Sequence, residues 1–71
     1  MLGRYDVEVE YLDKNGNVVD SSSKGFFDNY DDADTFAQTV TLTGSDEQVA
    51  IWYWDENEDV VLDSWIVKEY E

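Results

Sequence analysis

"RYDVEVEYL", residues 4–12, alternates without interruption, so that Tyr5, Val7, Val9 and Tyr11 share one face of an extended chain and Asp6, Glu8 and Glu10 share the other. That pattern is a β-strand with one buried face. "DKNGN", 13–17, follows with an Asn-Gly pair suited to a tight hairpin turn, because both residues tolerate positive φ. Val18 and Val19 begin a second, more polar strand that runs through "DSSSKGFF" toward residue 27, with Gly25 marking a bulge or bend.

The period then changes. In "DNYDDADTFAQTVTLTG", 28–44, Ala33, Phe36, Ala37 and Val40 recur at the i, i+3, i+4, i+7 spacing of one helix face, with Tyr30 at its margin. Asn29 is the expected N-cap, and Asp31 and Asp32 fall in the first turn, where free amides and the helix dipole favour negative charge. The helix is predicted over about 30–41.

A β-branched and aromatic run, "QVAIWYW" (48–54), is predicted as strand three, the acidic "DENED" as a turn, and "VVLDSWIVKEY" (60–70) as strand four. The expected fold is α+β: a four-stranded antiparallel sheet in the order ββαββ, one domain over residues 1–71, with the single helix on one face. The other face must then meet water or a partner. Strands three and four do not alternate cleanly. A bulge near Asp63 or Ser64 would reconcile strand four, and at least one of Trp52, Trp54 and Trp65 is expected to be partly exposed.

Composition removes many functions. The chain has 71 residues, 42% hydrophobic and 15% aromatic, which suits a thin but real core rather than an acidic disordered tail. It has no Cys, hence no disulfide or thiolate metal site, and no His, hence neither the usual general base nor the commonest zinc ligand. The amino end shows no apolar leader segment, and no run approaches the roughly 20 apolar residues of a membrane span. The expectation is a soluble cytoplasmic protein with no membrane contact.

Several motifs invite a chemical reading. Asp13, Asn15 and Asn17 begin like a calcium loop, but the sixth position is Val18 instead of Gly and the twelfth is Lys24 instead of Glu, so a hairpin turn explains them better. "DENED" supplies oxygens without a loop to fix them around an ion. "SSS", 21–23, has no base to activate a nucleophile. No enzyme, metal site or cofactor is expected.

Charge is the dominant feature. Eighteen Asp and Glu stand against four Lys and Arg, a net charge of −14, which repels nucleic acid and draws basic surfaces. Small domains need a net charge of only about 2–8 in magnitude for solubility, so something should offset the surplus repulsion. Rows of carboxylates that stand in for phosphates would do so, with aromatic anchors beside them. The stretch "IWYWDENED", 51–59, sets bulky apolar residues directly against such acids. The expected partner-binding residues are Asp6, Glu8 and Glu10 on strand one, Asp31, Asp32 and Asp34 on the helix, and Trp52, Trp54, Asp55, Glu56, Glu58 and Asp59 around the second hairpin. Two alternatives use the same acids differently: a halophilic or simply solvated domain, whose acids hold water and salt, or another protein–protein interaction module. An exposed sheet face also suits a homodimer.

In size, lack of Cys and His, acidity and aromatic content, the chain resembles the small phage-encoded inhibitors that act as DNA mimics, several anti-CRISPR proteins among them. The likeness is one of type and transfers no residue roles. It implies stoichiometric, non-catalytic binding, in a host cytoplasm, to the DNA-contacting surface of a defence complex, a nuclease or a repressor.

Overall fold

A computed structural model describes residues 4–57 and 59–71. The order is β1 (Tyr5–Leu12), β2 (Val18–Phe27), α1 (Tyr30–Thr39), β3 (Glu47–Trp54) and β4 (Val61–Glu69). They form a four-stranded antiparallel sheet, β2-β1-β3-β4, so each hairpin supplies one central and one edge strand. The ββαββ α+β fold read from the sequence is the fold observed.

The two central strands pair in unbroken register from Tyr5↔Tyr53 to Tyr11↔Glu47. That register puts Val7 opposite Ile51 and Val9 opposite Val49, and all four are buried on the helix face. Fully burying such a side chain contributes about 1.5–3 kcal/mol. The helix approaches closely because the residues it turns inward, Ala33 and Ala37, are small and completely buried. Phe36 and Val40 pack at the edges of this core, and Leu42 closes it beyond the helix. Phe36 stacks on Phe27 at 5.2 Å between centroids, and the two rings lie over Gly25, where a Cβ would meet the Phe27 ring at 3.2 Å.

The helix ends use different devices. Asn29 caps the start, its side chain accepting the Asp32 amide at 2.9 Å. No basic residue occupies the last turn. Instead Lys68 reaches across from β4 and donates from Nζ to the Gln38 and Val40 carbonyls at 2.9 and 2.6 Å, placing a cation at the negative end of the helix dipole.

Four local expectations are refined. The tight first hairpin turns through a three-residue loop: the Gly16 amide bonds the Asp13 carbonyl, the Asp13 amide bonds the Asn17 carbonyl, and Gly16 takes φ +85°. Lys24 is the extra residue of a β2 bulge beside Gly25, since Val7 pairs with Gly25 and Glu8 with Ser23. In β4 the register slips at Leu62 and at Val67, so the expected bulge lies on either side of Asp63 and Ser64 rather than at them. The helix stops at Thr39, where Val40 turns to extended backbone.

Candidate protein-interaction surface

Parity determines what the helix-free face carries. Asp6, Glu8 and Glu10 of β1 point to it, and register places Trp52 beside Asp6, Ala50 beside Glu8 and Gln48 beside Glu10 on β3. From β2 come Phe26, Ser23 and Ser21, and from β4 Ser64, Ile66 and Glu69. The sequence places the three acids in one row on this face, and they are there. It also predicts them to be solvated, and that expectation is overturned: Asp6, Glu8 and Glu10 are 2%, 4% and 9% exposed.

Their donors explain how carboxylates survive there, since a buried charge without hydrogen bonds costs several kcal/mol. The Trp52 indole Nε1 donates to Glu10 Oε2 at 2.9 Å, and Gln48 Nε2 donates to Glu10 Oε1 at 2.8 Å. Ser23 Oγ donates to Asp6 Oδ1 at 2.8 Å, and the Trp54 indole donates to Asp6 Oδ2 at 3.3 Å. Trp52 and Trp54, 6.3 Å apart, therefore roof the acids with their rings and satisfy them with their nitrogens. Glu8 sits between, beside Asp6 and the Ser21 and Ser23 hydroxyls. Burial first, then the hydrogen bond and charge of Asp6, push its carboxyl up to about 8, against a smaller pull from the two serines. Glu8 thus keeps its proton at neutral pH, and the row is a polar layer inside the protein rather than a contact surface. Gln48 was not singled out from the sequence, and Ser21 and Ser23 drew notice there only as nucleophiles. The signal for Gln48 is its shared parity with Trp52 and Trp54, which faces it toward the acids.

The remaining expected residues converge elsewhere. β2 and β3 end, and β1 and β4 begin, at the same edge of the sheet, because Tyr5 pairs with both Phe27 and Tyr53, and Trp54 with Val61. The helix starts above that edge: Tyr30 meets Tyr5 at 6.2 Å and Trp65 at 5.4 Å, both edge-on. The first turn of the helix and the tip of the second hairpin therefore lie at the same end of the sheet. Exposed there are Asp28, Asp31, Asp32, Glu56, Asp59 and Asp63, around the exposed edges of Tyr30 and Trp65. Asp34, one turn in, is half-buried and accepts from Gln38. Asp55 is half-buried and structural, its Oδ1 accepting the Asp59 and Val60 amides at 2.7 and 3.4 Å to close the hairpin. Glu58 lies outside the described residues.

At the opposite edge, Asp13 spends its carboxylate on its own turn, accepting the Asn15 and Asn17 amides at 2.8 and 2.9 Å; these bonds, the Asn17 amide foremost, hold its carboxyl below the usual range. Those contacts are the use the loop makes of the residues that resemble a calcium motif. Glu47 is likewise lowered, by the Thr43 hydroxyl and amide and by Lys24. Arg4, the basic residue nearest the acidic end, donates Nε to the Trp54 carbonyl at 2.9 Å and lies 4.5 Å over the Tyr53 ring. With Lys68 committed to helix carbonyls, two of the four cations serve the fold's backbone.

Comparison with family models, curated proteins and solved structures finds no match. Among the described residues no helix is long and apolar enough to cross a membrane.

Proposed function

We propose that this protein acts without catalysis, as an acidic ligand that occupies the nucleic-acid-binding surface of a basic partner protein in place of DNA or RNA. The observation that carries the reading is the convergence of exposed Asp28, Asp31, Asp32, Glu56, Asp59 and Asp63 at one end of the sheet. Two independent elements, a helix N-terminus and a hairpin tip, deliver carboxylates to the same end of a scaffold whose net charge is −14.

Such a field raises the encounter rate with a cationic cleft, and docked carboxylates displace the counterions or phosphates that the cleft would otherwise hold. Tyr30 and Trp65 provide apolar edge at the centre of the charge, the residue types that carry most binding energy when desolvated. The contact set is accordingly the helix start and hairpin tip. Asp6, Glu8, Glu10, Trp52 and Trp54 support it from within by fixing β1 against β3.

The test uses the native protein and a variant carrying Asp31→Asn, Asp32→Asn, Glu56→Gln and Asp59→Asn, each immobilised and exposed to lysate of the cell in which the protein works. The native protein should retain a nucleic-acid-binding protein that duplex DNA elutes, and the neutralised variant should retain little of it. Equal retention by both, or retention indifferent to excess DNA, refutes the proposal.

A further inference from the structure

The two edges of the sheet differ. β2 exposes Val18, Val19 and Phe26 only toward its two ends and presents Asp20, three serines and Lys24 along its middle, whereas β4 exposes Val61, Leu62, Trp65 and Ile66 within the strand itself, with Val60 and Tyr70 at its flanks. Leu62 and Ile66 are 57% and 58% exposed, on a strand that among the described residues pairs with β3 alone. An apolar edge strand is a template for another strand, and proteins ordinarily blunt such edges with charge, proline or bulges. Here two bulges, at Leu62 and Val67, leave Asp63–Ile66 between them in straight register.

A local contact shows how that segment is kept single. The Ser64 amide, turned away from the β3 ladder, is bonded at 2.8 Å by the carboxylate of its neighbour Asp63. The same device guards the other edge, where Asp20 holds the Ser21 amide at 2.8 Å. Uncovering Ser64 therefore requires something that draws the Asp63 carboxylate aside, and a cation does so.

Charge decides between occupants. A second copy pairing edge to edge would bring Asp63, Glu69 and the hairpin-tip acids of two chains together, each chain at −14. A strand that alternates apolar and basic side chains meets both demands: its apolar groups cover Ile66 on the helix-free face, while Lys or Arg on the helix face engages Asp63 beside the Trp65 ring. Resting on the reading that the partner is basic, we infer that the β4 edge takes up an extended, lysine- or arginine-bearing strand of that partner, extending the sheet by main-chain hydrogen bonds as in β-augmentation.

The probe is a short capped peptide in which lysine and valine alternate, added to the isotopically labelled protein, with a lysine–serine peptide of equal charge as control. The expected result is that amide signals of Asp63–Ile66 shift, that exchange at Ser64 slows, and that the lysine–serine peptide binds at least about tenfold more weakly, the loss of one to two kcal/mol of apolar contact. Ser64→Pro, which removes no bond to β3, should weaken the lysine–valine peptide to the level of the control while the native melting curve is kept. Should that variant fail to fold, the amide shifts in the unaltered chain decide alone.

Shifts confined to the helix start and hairpin tip, or equal binding of both peptides, would overturn the inference and leave the acidic-ligand reading standing. Absence of any binding would count against both. A dimer in sedimentation that the peptide cannot compete with would assign the edge to a second copy and also overturn it.

Discussion

Replacing Glu8 by glutamine should make the protein more stable at pH 8 and leave it almost unchanged at pH 4. In the native fold Glu8 is 4% exposed beside Asp6, and its carboxyl is raised from 4.5 to about 8. A carboxyl raised in the folded state binds a proton that the unfolded chain releases. Its stabilising share is therefore complete below about 4.5, is lost progressively as pH rises, and is exhausted above about 8. At 1.36 kcal/mol per unit the whole shift corresponds to at most about 5 kcal/mol. The layer is only one side chain deep and the face above it is wet, so screening reduces this to about 2 kcal/mol. Glutamine keeps the size and a donor for Asp6 but has no proton to lose. The assay is thermal unfolding of native and Glu8→Gln protein at pH 4.5, 6 and 8. The difference in melting temperature should grow with pH, reaching about 10 °C at pH 8 for a domain of this size. Parallel curves, with the same difference at every pH, or a variant less stable at pH 8, would refute the burial argument.

Other perturbations probe the scaffold. Lys68→Met should cost about 1–2 kcal/mol in urea unfolding, because it removes the charged donor from the Gln38 and Val40 carbonyls. Asn29→Ala should cost about 1 kcal/mol by uncapping the helix, read in the same titration. Gly16→Ala should cost about 1–2 kcal/mol because of its φ of +85° alone, since a Cβ there meets nothing within 4 Å. Trp54→Phe keeps the ring but removes a donor from buried Asp6; it should destabilise by about 1 kcal/mol, and equal stability to the native protein would show that the indole bond is dispensable.

The fold was legible because each element has an unambiguous period. Strand one alternates for eight residues, and the helix face Ala33, Phe36, Ala37, Val40 has no strand reading. The misreading of Asp6, Glu8 and Glu10 has a physical origin: acids are almost never buried unless paired, so a row of them on one parity reads as solvent-facing. What buries them lies more than forty residues away, in the indoles of Trp52 and Trp54. Their donor atoms become partners only once β1 and β3 are in register. Gly25 marked the β2 bulge, but the β4 slips at Leu62 and Val67 were hidden for the same reason, since a slip belongs to a pair of strands and not to one. The acidic end was half legible: Asp31, Asp32, Glu56 and Asp59 stood out by composition, but their proximity depends on topology, and the structural duty of Asp55 on a turn.

The raised carboxyl also changes the meaning of the net charge. Crowded surface acids would all titrate upward together, yet the shifts run both ways: Glu8 rises through burial, while Asp13 and Glu47 fall through local hydrogen bonds. Salt should therefore affect association with a cationic partner more than it affects folding. A domain shaped chiefly for concentrated salt would behave in the opposite way, unfolding at low ionic strength.

The most direct test is whether duplex DNA and this protein exclude one another on a purified partner identified by capture. Titrating DNA into the complex and following both ligands at equilibrium should show one displaced as the other binds, with the affinity of the protein falling as salt is raised. A ternary complex in which both remain bound would contradict the account.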